Sequence, residues 1–350
     1  MPVSVEAPTI FSISGITNLN TPPGPYARGS VFSVRVSLWN GGNTSIDWGI
    51  LELYFNLTGY TSDPVNVNVT TISAFSTRTV DFNITVGGAA DVGTLEINAQ
   101  FNGKTALGGD VNVTNTTSPL TVKVLGPSNL TITAITDQTG LGTYVHDMTF
   151  NAKVTLENTG GLNVTVSSLV LYFNGATGYS HPAVSSFVVA GGQTKNITIT
   201  ITIGALATTG SIIIDANASG TEIITLNPIN IVSGVNDLTV NVQSKASFSI
   251  LNITDWTGNG TYVGGETFTI RVYYQNTGGT DAINVDASLN FNGYGDLSPS
   301  NPAPITVSAS STNYQEFSIT VASGANVATV EIDASASGQE EYSNLSLIHI

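Results

Sequence analysis

The chain has 350 residues, a formal net charge of −15 at pH 7, 41% hydrophobic residues and no cysteine. This hydrophobic share supports packed cores and excludes global disorder, and the length suggests two or three domains. Only nine residues are basic, so the chain cannot neutralise a row of phosphates or a negatively charged membrane surface. Without cysteine, a disulfide framework and Cys-ligated metals are also excluded.

The two ends carry little information on targeting. No apolar run reaches the roughly 18 residues of a membrane helix, and the N-terminus lacks the pattern of a signal peptide. The segment PVSVEAP at 2–8 is similar to LTVKVLGP at 120–127. We therefore expect residues 1–8 to be the tail strand of a preceding repeat, with a signal peptide and an anchor missing from this sequence.

A turn built on Asn and Gly-Gly recurs at Asn40, Asn158 and Asn276, at a constant interval of 118 residues. Before each turn, apolar and polar residues alternate, as in FNAKVTL at 150–156. This alternation predicts a strand with one buried face. We expect the Gly pair to supply a positive φ for the reversal, and Asn to tolerate that region or cap the turn.

Other strand patterns share the same interval, and no stretch shows a helical period. About seven short strands per copy predict an all-β fold of tandem immunoglobulin-like antiparallel β-sandwiches, arranged as beads on a string. The predicted sandwiches are 9–127, 128–245 and 246–344. The links LGPS at 125–128 and QSKAS at 243–247 are brief, which indicates semi-rigid connections.

The last six residues, LSLIHI at 345–350, fit neither repeat pattern. They match the translation of a common sequencing adapter, so we expect an artefact there, the alternative being an ordinary strand end. In that case sandwich 3 lacks its last strand and has an unpaired edge.

The strand and turn together carry a resemblance to a known family. The pattern G-x-x-F-x-[IV]-x-V-x-x-x-N-x-G-G is read from Gly29 to Gly42 and from Gly265 to Gly279. The second copy follows it nearly, but has His146-Asp147-Met148 where Gly would stand. It resembles the cell-adhesion-related domain of bacteria and its archaeal surface-layer relatives. The resemblance implies tandem, extracellular, non-catalytic modules, and it implies no catalytic residues.

Asn-x-Ser/Thr sequons are numerous, and they predict an N-glycosylated surface if the protein is extracellular. The alternative is that Asn and Thr are common in turns and on outer strand faces. Three sequons fall within predicted strands and would be modified only if they face outward: Asn83, Asn196 and Asn252. The remaining candidates are Asn43, Asn56, Asn68, Asn112, Asn115, Asn129, Asn163, Asn217, Asn259 and Asn344, the last only if residues 345–350 are genuine.

Two loops, DQTGLGTY at 137–144 and DWTGNGTY at 255–262, correspond to LNTPPGPY at 19–26. A calcium loop is one interpretation, but each loop holds one carboxylate and the first holds none. A turn capped by the Asp side chain is the favoured interpretation, and we expect no metal and no cofactor.

Arg35, Lys153 and Arg271 occupy one equivalent outward position. We expect ion pairs with a neighbouring strand, the alternative being a contact between domains that sets their bend.

Aromatic and histidine side chains offer little to a site shared by all copies. Trp39, Trp48 and Trp256 could stack on sugars, but packing in a core or at its rim is the default. His146 and His181 lie in predicted loops, and no catalytic motif accompanies them.

We therefore expect a non-catalytic segment of a long extracellular surface protein that serves as a spacer, a stalk or an adhesive array. The alternative is a carbohydrate- or protein-binding module, with surface proteins or glycans as partners. Nucleic acid and membrane insertion are not expected within this segment.

Overall fold

The computed structural model describes residues 10–115, 118–234, 237–343 and 346–349, without the side chains of 348 and 349. Within these ranges the chain is all-β and has no helix. The expected tail strand at 1–8, the sequon at Asn344 and residues 345 and 350 lie outside the described residues. The strands fall into three successive units, which we number 1 to 3.

In its described residues, unit 1 contains ten strands. They are β1 (Phe11–Asn18), β2 (Tyr26–Ala27), β3 (Val31–Asn40), β4 (Ile46–Phe55), β5 (Tyr60–Asp63), β6 (Asn66–Ile72), β7 (Ser76–Val86), β8 (Gly93–Thr105), β9 (Asp110–Thr114) and β10 (Leu120–Leu125).

Unit 2 repeats this succession. Its strands are β11 (Leu130–Asp137), β12 (Thr143–Val145), β13 (Thr149–Asn158), β14 (Val164–Tyr172), β15 (Tyr179–Ser180), β16 (Phe187–Val189), β17 (Gln193–Ile203), β18 (Gly210–Glu222), β19 (Pro228–Val232) and β20 (Leu238–Gln243).

Unit 3 has eight strands in its described part. They are β21 (Phe248–Asp255), β22 (Thr267–Asn276), β23 (Ala282–Asn290), β24 (Leu297–Pro299), β25 (Ile305–Val307), β26 (Ser311–Val321), β27 (Asp333–Glu340) and β28 (Ser346–His349).

Strand order confirms the immunoglobulin-like sandwich. In unit 1 one sheet has the order β1-β3-β7-β5 and the other β2-β10-β8-β4-β6, with β9 also paired to β8. These orders correspond to the A-B-E-D and G-F-C sheets of that fold. Unit 2 has the same orders. Units 1 and 2 have more than the expected seven strands, because short strands are added to the sandwich. Among these, β2 pairs in parallel with β10, and β12 pairs in parallel with β20.

Each unit has its own hydrophobic core, and no buried residue belongs to two of them. The alternating run at 150–156 confirms the strand prediction, because Phe150, Ala152, Val154 and Leu156 are all buried on one face of β13. Full burial of a large apolar side chain stabilises by about 1.5–3 kcal/mol. A slip of one residue would expose this whole set, so the register of β13 is strongly specified.

The second sheet of unit 3 has the order β25-β23-β27-β28, so no described strand takes the place of β10 or β20. Strand β28 pairs with β27 in the same register in which β19 pairs with β18 in unit 2. Ala336 lies opposite His349, and 118 residues earlier Ala218 lies opposite Ile231. Leu347 packs against the core of unit 3. Residues 346–349 therefore do follow the repeat, contrary to expectation, whereas the adapter origin of 345–350 stays a prediction.

Candidate functional site

The repeated turn is organised by a buried asparagine. The side-chain amide of Asn158 donates to the carbonyl oxygens of Leu162 (2.8 Å) and Val189 (3.3 Å). Its Oδ1 accepts from the backbone N–H groups of Gly160 (3.1 Å) and Asn129 (3.1 Å). Asn158 is 0% exposed, so one side chain joins the end of β13, its turn, the end of β16 and the incoming linker.

The other units repeat these contacts, and we call Asn40, Asn158 and Asn276 the turn asparagines. In unit 3, Asn276 donates to Thr280 O (2.8 Å) and Val307 O (3.0 Å), and it accepts from Gly278 N (2.9 Å) and Ser247 N (3.1 Å). In unit 1, Asn40 donates to Thr44 O (2.9 Å), Ile72 O (3.1 Å) and Ser73 O (3.1 Å), and it accepts from Gly42 N (3.2 Å). The expected capping role is confirmed, and its burial explains why Asn recurs at one interval.

The expected positive φ is not found at the turn glycines of units 2 and 3, which are Gly160, Gly161, Gly278 and Gly279. Glycine is needed there for close approach instead. A Cβ on Gly160 would overlap the carbonyl oxygen of Pro127, and one on Gly278 would overlap that of Lys245. The linker thus passes directly against the turn, which only a residue without a side chain permits.

A buried glutamate fixes the first linker and was not singled out by sequence. Oε1 of Glu222 accepts from the backbone N–H (2.6 Å) and the hydroxyl (2.8 Å) of Ser128, and Oε2 accepts from Thr225 and Asn227. Burial opposes ionisation of Glu222, but these hydrogen bonds outweigh it and hold the pKa below its ordinary value.

Glu340 takes the place of Glu222 in unit 3, where Ala246 replaces Ser128. Oε2 of Glu340 accepts from the N–H and the hydroxyl of Ser343 (both 2.6 Å). Oε1 is buried without a hydrogen-bond partner among the described residues. The second linker therefore lacks the serine contact of the first.

The loop at 137–144 is held by its aspartate, as the turn-cap interpretation predicted. Asp137 accepts from the backbone N–H groups of Thr139 (2.9 Å), Gly140 (2.9 Å) and Gly142 (3.3 Å), and from the hydroxyl of Tyr144 (2.6 Å). Burial opposes its ionisation, but the bonds from Tyr144 and the backbone outweigh it, so the pKa of Asp137 lies below its ordinary value. A cation would have to displace these donors.

In the other two units a side-chain oxygen likewise accepts hydrogen bonds from the corresponding loop. Asp255 accepts from Gly258 N (2.9 Å), Gly260 N (3.0 Å) and the hydroxyl of Tyr262 (2.6 Å). In unit 1, where no carboxylate is present in the loop, Oδ1 of Asn18 accepts from the Tyr26 hydroxyl at 3.0 Å. Within the described ranges, no group of three or more His, Cys, Asp or Glu residues could hold a metal ion.

Two of the three equivalent basic residues form the expected cross-strand ion pairs. Arg35 binds both carboxylate oxygens of Asp81, at 2.7 and 2.8 Å, and Arg271 binds Glu316 at 3.0 Å. The hydrogen bond from Arg35 holds the pKa of Asp81 below its ordinary value. Lys153 forms no ion pair with any residue that the structure describes.

Most sequons are exposed. The three in strands, Asn83, Asn196 and Asn252, face outward, which satisfies the condition set for their modification. Asn217 is half-buried, and Asn115 is buried with its amide donating to Ser118 O. The other exposed sequons are Asn43, Asn56, Asn68, Asn112, Asn129, Asn163 and Asn259.

The three tryptophans differ in burial. Trp39 is half-buried, whereas Trp48 and Trp256 expose 47% and 56% of their surface. Core packing therefore describes neither Trp48 nor Trp256. The ring of Trp256 lies over the guanidinium of Arg271, at 3.4 Å from the ring centroid to Cζ, a contact that sequence did not reveal.

The candidate histidines His146 and His181 have separate hydrogen-bond partners. Nε2 of His146 lies 3.0 Å from the carbonyl oxygen of Ala207. Nε2 of His181 accepts from the N–H of Leu171 (3.2 Å), and its Nδ1 lies 2.9 Å from the carbonyl oxygen of Pro182. Both lie outside strands, as predicted, and neither has the paired carboxylate and nucleophile of a hydrolase site.

The chain matches no family model, and no curated protein matches it. Its resemblance to the cell-adhesion-related domain therefore stays a prediction. No helix long and apolar enough to cross a membrane is found in the part of the chain that the structure describes.

Among solved structures, the chain is similar to part of a 1.5-MDa bacterial ice-binding adhesin, with 16% identity, a TM-score of 0.47 and coverage of 99% of this chain and 96% of that one. It is also similar to a Ca²⁺-stabilised adhesin of an Antarctic bacterium that binds ice (16%, TM-score 0.42, coverage 98% and 72%). A third is a tetra-tandem repeat from the extending region of a large adhesion protein (12%, TM-score 0.25, coverage 98% and 73%). At these scores the likeness carries no argument about function.

Proposed function

We propose that this chain is a non-catalytic segment of an extracellular surface protein, in which the three units act in series as a spacer. The observation that supports it is the presence of three separate cores joined by short linkers. We place the boundaries between units near residues 127 and 245. Because each unit has its own core, added copies would lengthen the array without changing existing ones.

The bonding of the linkers supports limited bending between units. In the first linker, Pro127 O accepts from Gly161 N (3.1 Å), Ser128 binds Glu222, and Asn129 N donates to Asn158. A linker whose polar groups are tied to the following unit has less freedom than a Gly/Ser chain of equal length.

The second linker has contacts to both of its neighbours. Lys245 Nζ lies 2.7 Å from an Asp147 carboxylate oxygen in unit 2, and the N–H of Thr277 in unit 3 donates to Ser247 O at 2.9 Å. We expect this segment to transmit orientation from one unit to the next.

Small-angle X-ray scattering on the chain tests the spacer. A single compact body of this length has a radius of gyration of about 20 Å. Three units in a line, each with a radius of gyration of about 13 Å, have their centres separated by roughly 35 Å, the length of a ten-residue strand. Such an array has a radius of gyration above about 30 Å. A value near 20 Å would refute the proposal.

We also propose that the exposed sequons accept N-glycans in the extracellular setting. Their outward orientation supports it, and the polar faces would then remain soluble at high local density. Buried Asn115 is the internal control, because its amide already donates to a backbone carbonyl and its side chain is 7% exposed.

Expression in a glycosylating secretory host, followed by glycopeptide mass spectrometry, tests this proposal. We expect glycans at sequons such as Asn83, Asn196 and Asn252, and none at Asn115. Modification of Asn115 alongside unmodified exposed sequons would contradict the reasoning from exposure, and a wholly unmodified protein would contradict the glycosylation.

A further inference from the structure

The outer face of the first sheet of unit 3 carries an aromatic cluster centred on an arginine. It consists of Trp256, Arg271, Tyr273 and Tyr314, and we call it the aromatic platform. The Cζ atom of Arg271 lies 3.4 Å from the Trp256 ring centroid and 4.2 Å from that of Tyr314. The rings of Tyr273 and Tyr314 contact each other, with 5.5 Å between their centroids. One guanidinium thus lies against the rings of Trp256 and Tyr314, within the range of cation–π attraction, and Tyr273 adjoins the cluster through Tyr314.

The charge of the platform is already balanced. Glu316, directly opposite Arg271 in the strand pair, accepts from its Nε (3.2 Å) and Nη2 (3.0 Å). The side chain of Arg271 is only 14% exposed, so its cation is not available to an incoming anion. The accessible surface is instead the rings, with Trp256 56% and Tyr314 39% exposed.

The fold does not require these aromatic residues. Unit 2 builds the same strand pair with polar side chains at the four corresponding positions, which are Gln138, Lys153, Thr155 and Asn196. There Thr155 donates to Asn196 at 2.9 Å. Because the sandwich forms without an aromatic cluster, the exposed rings of unit 3 are an addition to the repeat. Exposed apolar side chains that cluster, rather than lying scattered singly, are a feature of interaction sites.

We propose that the aromatic platform binds neutral pyranose sugars. The ring faces offer a flat apolar surface, and the partial negative charge of an aromatic face attracts the C–H groups of a pyranose. Polar side chains flank it along the same two strands: the pair Gln275 and Thr312 on one side, and Thr269 and Ser318 on the other. These groups can donate to and accept from the equatorial hydroxyls at the rim of a sugar.

Charge favours a neutral ligand over an anionic one. The chain carries a net charge of −15, which repels acidic polysaccharides, and the one cation of the platform is paired. This inference goes beyond the spacer proposal, because a spacer needs no ligand. Its failure would leave the scattering prediction untouched.

The test uses the full chain made without N-glycans, because sequon Asn252 lies opposite Tyr273 in the sheet. It is applied to an array of neutral glucans, mannans, galactans and N-acetylglucosamine oligomers, and any glycan that binds is titrated by isothermal titration calorimetry. The double variant Trp256→Gln/Tyr314→Asn copies the residues of unit 2. Trp48→Gln, at an exposed tryptophan of unit 1, is the matched control.

We expect the parent and the Trp48→Gln variant to bind a neutral glycan equally. We expect the double variant to bind at least about tenfold more weakly, with the circular dichroism spectrum unchanged. No binding to any neutral glycan, equal binding by the double variant, or binding confined to anionic glycans would overturn the proposal. Loss of a protein ligand in the double variant, with no glycan bound by the parent, would assign the platform to a protein partner instead.

Discussion

Replacing a turn asparagine by leucine should destabilise one unit selectively. Asn158→Leu removes two donors and two acceptor contacts at a site that is 0% exposed. It leaves the N–H groups of Gly160 and Asn129 and the carbonyls of Leu162 and Val189 without this partner. Each buried polar group left unpaired costs about 1–3 kcal/mol. Because the turn lies near solvent, water can reach some of these groups, and we expect a loss of about 3 kcal/mol.

A loss of this size lowers the melting temperature of a unit by roughly 10–20 °C. Differential scanning calorimetry of the full chain should show one displaced transition, and hydrogen exchange followed by mass spectrometry should assign it to residues of unit 2. The other transitions should remain, because separate cores contribute independently.

The matched control is Asn151→Leu, the same substitution on the exposed face of the same strand. Surface changes of this kind stay within about 0.5 kcal/mol. If Asn158→Leu shifted the transition of unit 2 no further than Asn151→Leu does, the buried hydrogen bonds would not be what holds the turn.

Four further substitutions test the linkers and the Asp loop. Ala246→Ser should stabilise unit 3 by about 1 kcal/mol, because the new hydroxyl can donate to the unpartnered oxygen of Glu340. Ser128→Ala should destabilise unit 2 by a similar amount. Denaturant titrations in which Ala246→Ser destabilises unit 3, or Ser128→Ala stabilises unit 2, would contradict this. Gly160→Ala should lower the unfolding free energy of unit 2 by more than 1 kcal/mol, because the Cβ would overlap the linker carbonyl; an unchanged calorimetric transition would show that the linker can move aside. The pKa of Asp137 is lowered in the folded state, so its contribution is present above the unfolded value of about 3.9 and is lost as pH falls through the folded pKa. The melting temperature of unit 2 should therefore fall more steeply from pH 5 to 2 in the parent than in Asp137→Asn, and parallel curves would argue against the cap.

The repeat and its strands follow from local sequence. Alternation at 150–156 specifies a strand with one buried face, because side chains of a strand point to opposite sides in turn. The recurrence of that pattern at a fixed interval then specifies separate sandwiches, since each copy carries enough apolar residues for its own core. These inferences need only neighbouring residues, and the structure agrees with them.

Glycine in the turns was recognised but explained wrongly. Gly160 is needed for the approach of Pro127, which lies 33 positions earlier in the chain, and no local pattern reports that proximity. The place of residues 346–349 in the repeat was missed for a similar reason. It shows only in the pairing of strand β28 with β27.

Tertiary structure also decided which polar and aromatic residues meet. Asn158 joins segments about 30 residues apart, and Arg271 meets both Trp256 and Tyr314 only because three strands align in one register. Sequence determined what each strand would bury, since that depends on period two alone. Only the assembled sheets determined what lies side by side on their outer faces, because that depends on pairing between distant strands.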